Sequence, residues 1–154
     1  MKKTISKVLA LMMCLIMAGA LSACGSKDKV YKVSTEPTYP PFDTTNKNGD
    51  IVGFDMDLMK AIAKDQGFKV EFESLEFDAL IPALKSDSTD IVIAGMNVTP
   101  ERAKQVAFSD PYYKTGIVVL VKKDNTTITG WDSFTSGSGL KVAVQTGTSQ
   151  ADIA

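Results

Sequence analysis

Histidine is absent from the 154 residues, which removes Ser-His-Asp and Cys-His catalysis and every imidazole metal site. Cysteine is nearly absent: Cys14 and Cys24 both lie within the first 24 residues, so the body of the chain has no thiol for a disulfide, a thiolate metal site or a nucleophile. No metal and no cofactor is therefore expected. Arginine occurs once, as Arg102, and 17 Lys+Arg stand against 18 Asp+Glu. Such a balance offers no clustered basic surface, and nucleic acid is excluded as a partner. Long apolar runs are also missing. The longest, Val8 to Ala20, makes about 20 Å of helix, against the ~30 Å of hydrocarbon that a spanning helix must cross.

What is present is an ordinary folding composition, 44% hydrophobic and 8% aromatic. Lys2, Lys3 and Lys7 precede the apolar run, and Leu21-Ser22-Ala23-Cys24-Gly25 follows it. This layout is that of a signal peptide over residues 1–23, with a permanent membrane helix as the alternative. Leu-Ser-Ala-Cys resembles the bacterial lipobox, which implies cleavage before Cys24, a lipid on its thiol and acylation of the new N-terminus. Several acyl chains hold a protein stably on a membrane surface, where one binds only marginally. Residues 24–29 then read as the lipidated cysteine and a short polar tether. The mature chain carries 14 Lys+Arg against 18 Asp+Glu, a net charge of −4. Its length suffices to bury a core without disulfides.

Beyond the tether, strand and helix signals alternate. Val30 to Thr35 alternates apolar and polar side chains as a strand does, and the Glu36-Pro37-Thr38-Tyr39-Pro40-Pro41-Phe42 loop ends it. Asn46 to Asp50 reads as a hairpin turn. Phe54, Leu58, Met59 and Ile62 recur at helical spacing up to Gly67, a left-handed cap. Lys69 to Glu73 is a second strand with Val70 and Phe72 on one face, Asp78 to Lys85 a short helix, and Asp90 to Ala94 a buried strand. Thr99-Pro100-Glu101 starts another helix with a hydroxyl cap and proline in its first turn. Ile117 to Val121 and Val142 to Val144 are further expected strands, and Thr146 to Ser149 a helix start. The alternation predicts an α/β domain with a largely parallel sheet. A helix start followed by only five residues suggests that the chain continues in its parent protein.

Few side chains carry chemistry. Asp55 and Asp57 fall in the first turn of a helix, where the macrodipole favours negative charge, and Glu71 and Glu73 alternate on a strand; structural placement is expected for both pairs. Residues 44–55 echo a calcium loop faintly, with Thr44 and Asp55 in place of its terminal acids, and no metal is expected there. Tyr112 and Tyr113 read as hinge or core packing. Arg102 stands apart, because at the third residue of a helix the dipole opposes a cation and a compensating anion is needed. Its planar fork suits a carboxylate; a salt bridge to Glu101 or Asp110 is the simpler alternative. Thr146, Gly147, Thr148 and Ser149 offer hydroxyls and N–H groups at a second helix start, for capping or for an anion.

The motifs Glu36-Pro37-Thr38-Tyr39-Pro40-Pro41-Phe42, Gly53 to Leu58, Phe77 to Leu84, Asn97 to Arg102, Phe108 to Tyr113 and Val144 to Ser149 occur in one order. Together they resemble the solute-binding family of polar amino acid ABC transporters. The resemblance implies a type II periplasmic-binding-protein-like α/β fold: lobe one over residues 30–116 with a mostly parallel sheet, and a hinge strand and the opening of lobe two over residues 117–154. It implies that Tyr39 and Phe77 sandwich the ligand, Gly95 presents backbone groups and Asn97 meets the α-ammonium. Arg102 would clamp the α-carboxylate, joined by Thr148 and Ser149 from the second lobe. Glu36 would meet a polar or basic ligand side chain. The implied function is a monomeric, lipid-anchored, extracytoplasmic receptor, not an enzyme, that hands a free amino acid to an ABC permease and its ATPase. A dehydratase-like enzyme on the same fold and a sensor module are the alternatives. The resemblance also implies about a hundred further residues, so that this stretch alone is expected to bind weakly or not at all.

Overall fold

A computed structural model describes residues 29–134 and 139–153. The expected signal peptide, Cys24 and most of the tether lie outside these residues. The chain opens with β1 (Val30–Thr35), followed by a small hairpin sheet of β2 (Thr38–Tyr39), β3 (Asp43–Thr45) and β4 (Ile51–Val52). Helix α1 (Phe54–Gln66) leads to β5 (Lys69–Ser74), a 3₁₀ turn (Phe77–Ala79), α2 (Leu80–Lys85) and β6 (Ile91–Val92). A single-turn helix α3 (Pro100–Ala103), a second 3₁₀ turn (Trp131–Phe134) and α4 (Ser149–Ile153) complete the elements.

The main sheet has the order β5-β1-β6, and both pairings are parallel, as the alternation of elements predicts. β1 and β5 run in register from Val30 opposite Lys69 to Thr35 opposite Ser74, while β6 pairs only through Ile91 and Val92. Parallel strands need a crossover, and α1 supplies it between β1 and β5. Its inner face buries Met56, Met59 and Ala63. Met56 and Met59 join Val33 and Ile93 in the core, with Ile51, Leu58, Phe68, Val70, Phe72 and Ile91 packed around them. Val70 and Phe72 thus share the inner face of β5, and Leu80 of α2 is fully buried.

Local signals set most of the boundaries. Gly67 adopts the left-handed conformation (φ 72°) and its N–H returns to the Ala63 carbonyl, ending α1 as the sequence predicts. Asn46 closes the β3–β4 turn by accepting hydrogen bonds from the Asn48 and Asp50 amides, so this segment is built as an Asx turn. Thr99 caps α3 by accepting a hydrogen bond from the Arg102 amide at 3.2 Å.

Three expected strands differ. β6 is two residues long instead of five, although the Asp90 and Ile93 amides on either side of it still donate to the Lys32 and Ser34 carbonyls of β1, and the Asp90 carboxylate accepts from the Lys32 amide (2.8 Å). Residues 117–121 and 142–144 are not strands at all. An apolar run forms a buried strand only where both faces are covered, and Val118 and Leu120 are 85% and 97% exposed. Among the described residues no strand pairs with either run.

Candidate functional site

The site gathers where β1, β6 and their following loops end. Arg102 is its centre. The capped turn of α3 fixes its backbone, and only 7% of the residue is exposed. Nη1 donates to the Asn97 carbonyl (2.8 Å) and to Asn97 Oδ1 (2.7 Å), and Nη2 donates to the Gly147 carbonyl (2.8 Å). The guanidinium lies over the Phe77 ring, 5.5 Å from its centroid. Burial lowers its pKa, opposed by Asp152. Among the described residues no carboxylate touches it, and the salt bridges to Glu101 or Asp110 do not form. Neutral oxygens on one side and an aromatic face on another hold this buried cation in a fixed orientation.

Of the residues that the resemblance singles out, Asn97 and Phe77 contact Arg102 and Ser149 meets Asn97, whereas Tyr39 and Gly95 meet each other and share with Asn97 a cavity whose lining does not include Arg102 or Phe77. Tyr39, 47% exposed, stacks on Phe42 with centroids 5.2 Å apart and planes at 20°. Gly95 backs directly onto Tyr39: a Cβ built there would lie 3.2 Å from the ring, and φ is 56°. The Gly95 N–H is committed within the fold, donating to Asp55 Oδ2 at 2.9 Å. Asn97 Oδ1 accepts from Arg102 and also from the Ser149 hydroxyl at 3.2 Å. Thr148 is buried and its hydroxyl donates to the Gln145 carbonyl at 2.7 Å. Glu36 Oε2 accepts from Gln145 Nε2 at 2.5 Å. Tyr39, Gly95 and Asn97 line a cavity of about 290 Å³ with Phe42, Tyr112 and Tyr113. That volume is near the lower bound for small-molecule pockets, roughly 300 Å³.

Two buried carboxylates lie behind this surface. Asp43 and Asp55 are both fully buried, and the Oδ1 atom of each lacks a hydrogen-bond partner. Asp43 Oδ2 accepts from the Thr35 hydroxyl at 2.5 Å. Burial above all, with Asp55 and Glu36 adding like charge, pushes the Asp43 carboxyl up to about 6 against the pull of the Thr35 hydroxyl. Asp55 is raised by burial and opposed by hydrogen bonds from Gly95 and Tyr112. Tyr112 is raised in turn, first by burial and then by Asp55.

Asp55 corrects the sequence reading in part. It occupies the first turn of α1 as expected, yet it does not serve the helix dipole at the surface as Asp57 does; it is sealed in and bonded to two distant residues. Of the strand pair, Glu71 is exposed, whereas Glu73 Oε1 lies 2.7 Å from the buried Ser34 hydroxyl. Gln145 and the Gly147 carbonyl were not singled out as partners by sequence reasoning. No sequence pattern marks a backbone carbonyl as the partner of an arginine 45 residues away.

Residues 31–152 match the model of the bacterial extracellular solute-binding proteins, family 3. The arginine-binding extracellular protein ArtP of Bacillus subtilis (strain 168) is 41% identical over 154 aligned residues, covering 95% of this chain and 58% of that protein. The ancestral amino acid-binding protein AncCDT-1, described as a precursor of cyclohexadienyl dehydratase, is 46% identical with a TM-score of 0.76, over 83% of this chain and 56% of the other. The arginine-bound form of domain 1 from TmArgBP is 45% identical with a TM-score of 0.53, over 55% of this chain and 67% of the other. The chain spans about half the length of the curated relatives it matches, 44% to 58% among the first four.

Proposed function

The chain belongs to the bacterial extracellular solute-binding proteins, family 3, and from that premise we propose that it forms the ligand-capturing part of an extracytoplasmic amino-acid receptor serving an ABC importer. Residues 30–116 make up the first lobe and residues 117–154 the hinge segment and the opening of the second. Cys24 carries the lipid that holds the receptor at the membrane, and a permease with its ATPase receives the ligand. The protein works as a monomer and leaves its ligand chemically unchanged.

One observation carries this reading: Arg102 is buried, held by three neutral oxygens and stacked on Phe77, with no carboxylate in contact among the described residues. The α-carboxylate of a free amino acid supplies the missing charge with matched fork geometry. Tyr39 and Phe77 then flank the ligand, with Gly95, Asn97, Thr148 and Ser149 around its polar end. Glu36 faces its side chain and favours a cation. The arginine-binding name of a relative aligned over 95% of the chain supports a basic ligand. A domain 1 described as arginine-bound supports placing the main anchors in the first lobe.

Thermal shift of the complete protein against the twenty amino acids tests the proposal, since a ligand that binds only the folded state raises Tm. Arginine, or a small basic set, is expected to stabilise it, and Arg102→Ala to abolish the shift. Stabilisation that persists in Arg102→Ala contradicts the role given to this residue. A dehydratase would consume its ligand, so recovery of unaltered amino acid after incubation separates receptor from enzyme.

A further inference from the structure

Asp55 contributes no atom to the cavity at the site, yet both of its side-chain partners line it. Its Oδ2 accepts from the Gly95 amide at 2.9 Å and from the Tyr112 hydroxyl at 3.0 Å. Gly95 supports the Tyr39 ring from behind, and Tyr112 lines the same cavity; in the lobe division proposed above, Tyr112 stands four residues before the end of the first lobe. The same two segments also meet through aromatic packing: Phe54, beside Asp55, stacks on Tyr112 at 6.2 Å and 29°, and Phe42 meets Tyr113 edge-on at 4.9 Å. Asp55 is fully buried and its Oδ1 has no partner. Burying a carboxylate without saturating it costs stability, a cost that its two hydrogen bonds offset in part.

We propose that Asp55 is a positioning residue of the ligand site, a brace whose one oxygen ties the Gly95 floor to Tyr112 at the root of the exit segment. It touches no ligand. It holds Gly95 at φ 56° beneath Tyr39 and sets where residues 112–116 depart. Ligand seated on Tyr39 and movement of the exit segment are thereby coupled through a single buried atom. The brace rests on the receptor reading for its use in binding, whereas its geometry stands without any ligand.

The experiment has two parts. In the ligand-free mature chain, amide hydrogen exchange at Gly95 is compared between wild type and Tyr112→Phe, which deletes one hydroxyl and leaves the packing. The brace predicts that Gly95 keeps its protection in Tyr112→Phe and loses at least about tenfold in Asp55→Ala. Unchanged exchange at Gly95 in a folded Asp55→Ala overturns it. In the complete protein, calorimetry with arginine follows. Tyr112→Phe is expected to weaken binding about fivefold and Asp55→Ala about tenfold or more, with Asp55→Asn, which keeps an acceptor oxygen, restoring most of the loss. Arginine affinity unchanged in Tyr112→Phe, with only Tm lowered, reduces the contact to fold stability and refutes the coupling. Should the wild type bind no amino acid, the receptor reading fails, and the exchange result alone decides whether the brace exists. If Asp55→Ala does not fold, calorimetry of Tyr112→Phe carries the test, and arginine affinity unchanged in that variant refutes the coupling.

Discussion

Lowering the pH from 7.5 to 5 is expected to stabilise this protein, against the usual behaviour of carboxylates. Asp43 is fully buried, accepts the Thr35 hydroxyl through Oδ2 and has a partnerless Oδ1, and burial pushes its carboxyl from 3.8 up to about 6 against the hydrogen bonds from Thr35 and the Tyr39 backbone. The folded state therefore binds a proton that the unfolded chain still releases, and stability rises as pH falls through that window. At pH 7.5 Asp43 is ionised in both states. At pH 5 it is about nine-tenths protonated when folded and mostly ionised when unfolded, a gain of about 1.4 kcal/mol. For a domain of this size that corresponds to roughly 5 °C in Tm. Asp55, raised in the same direction, adds to the slope. Urea denaturation at both pH values measures the effect directly. Asp43→Asn, neutral throughout, should be the more stable protein at pH 7.5 and should lose the Asp43 share of the slope. A wild type whose stability falls between pH 7.5 and 5, or an Asp43→Asn variant that keeps the full wild-type slope, refutes the reasoning.

Two further substitutions test the local geometry. Gly53→Ala places a Cβ against the Phe42 carbonyl at φ 139°, so a loss of about 3 kcal/mol is expected in urea denaturation, and a change under about 0.5 kcal/mol contradicts the packing at this turn. Thr99→Ala removes the α3 cap and should cost about 1 kcal/mol in the same assay. Because that turn positions Arg102, amino-acid affinity should fall with it, and affinity unaffected by loss of the cap argues that Arg102 is held by Asn97 and Gly147 alone.

Much of the fold was legible because its signals are local. Gly67 ends α1, Thr99 and Pro100 begin α3, and the Asn46–Asp50 turn makes a hairpin, each through contacts within a few residues. The runs at 117–121 and 142–144 misled for the opposite reason. Their composition is that of buried strands, but a strand exists only with a neighbour, and composition does not say whether one is there. The site divides in the same way. Arg102 announced itself by being a lone arginine opposed by a helix dipole, and the family motifs named Tyr39, Phe77 and Asn97. What the sequence hid were long-range pairings: Glu36 with Gln145, Arg102 with the Gly147 carbonyl, and Asp55 with Gly95 and Tyr112. An aspartate in a helix's first turn looks solvated, and only its burial and its hydrogen bonds from Gly95 and Tyr112 show that it is sealed.

The central claim is that Arg102 recognises an α-carboxylate, and calorimetry of the complete protein with L-arginine and with agmatine, its decarboxylated counterpart, tests it most directly. The two ligands share a guanidinium and differ at the group Arg102 is aimed to hold. The account predicts that arginine binds, that agmatine binds on the order of 100-fold more weakly or not at all, and that Arg102→Ala brings arginine down to the agmatine level. Equal binding of arginine and agmatine, or arginine binding undiminished in Arg102→Ala, would contradict it.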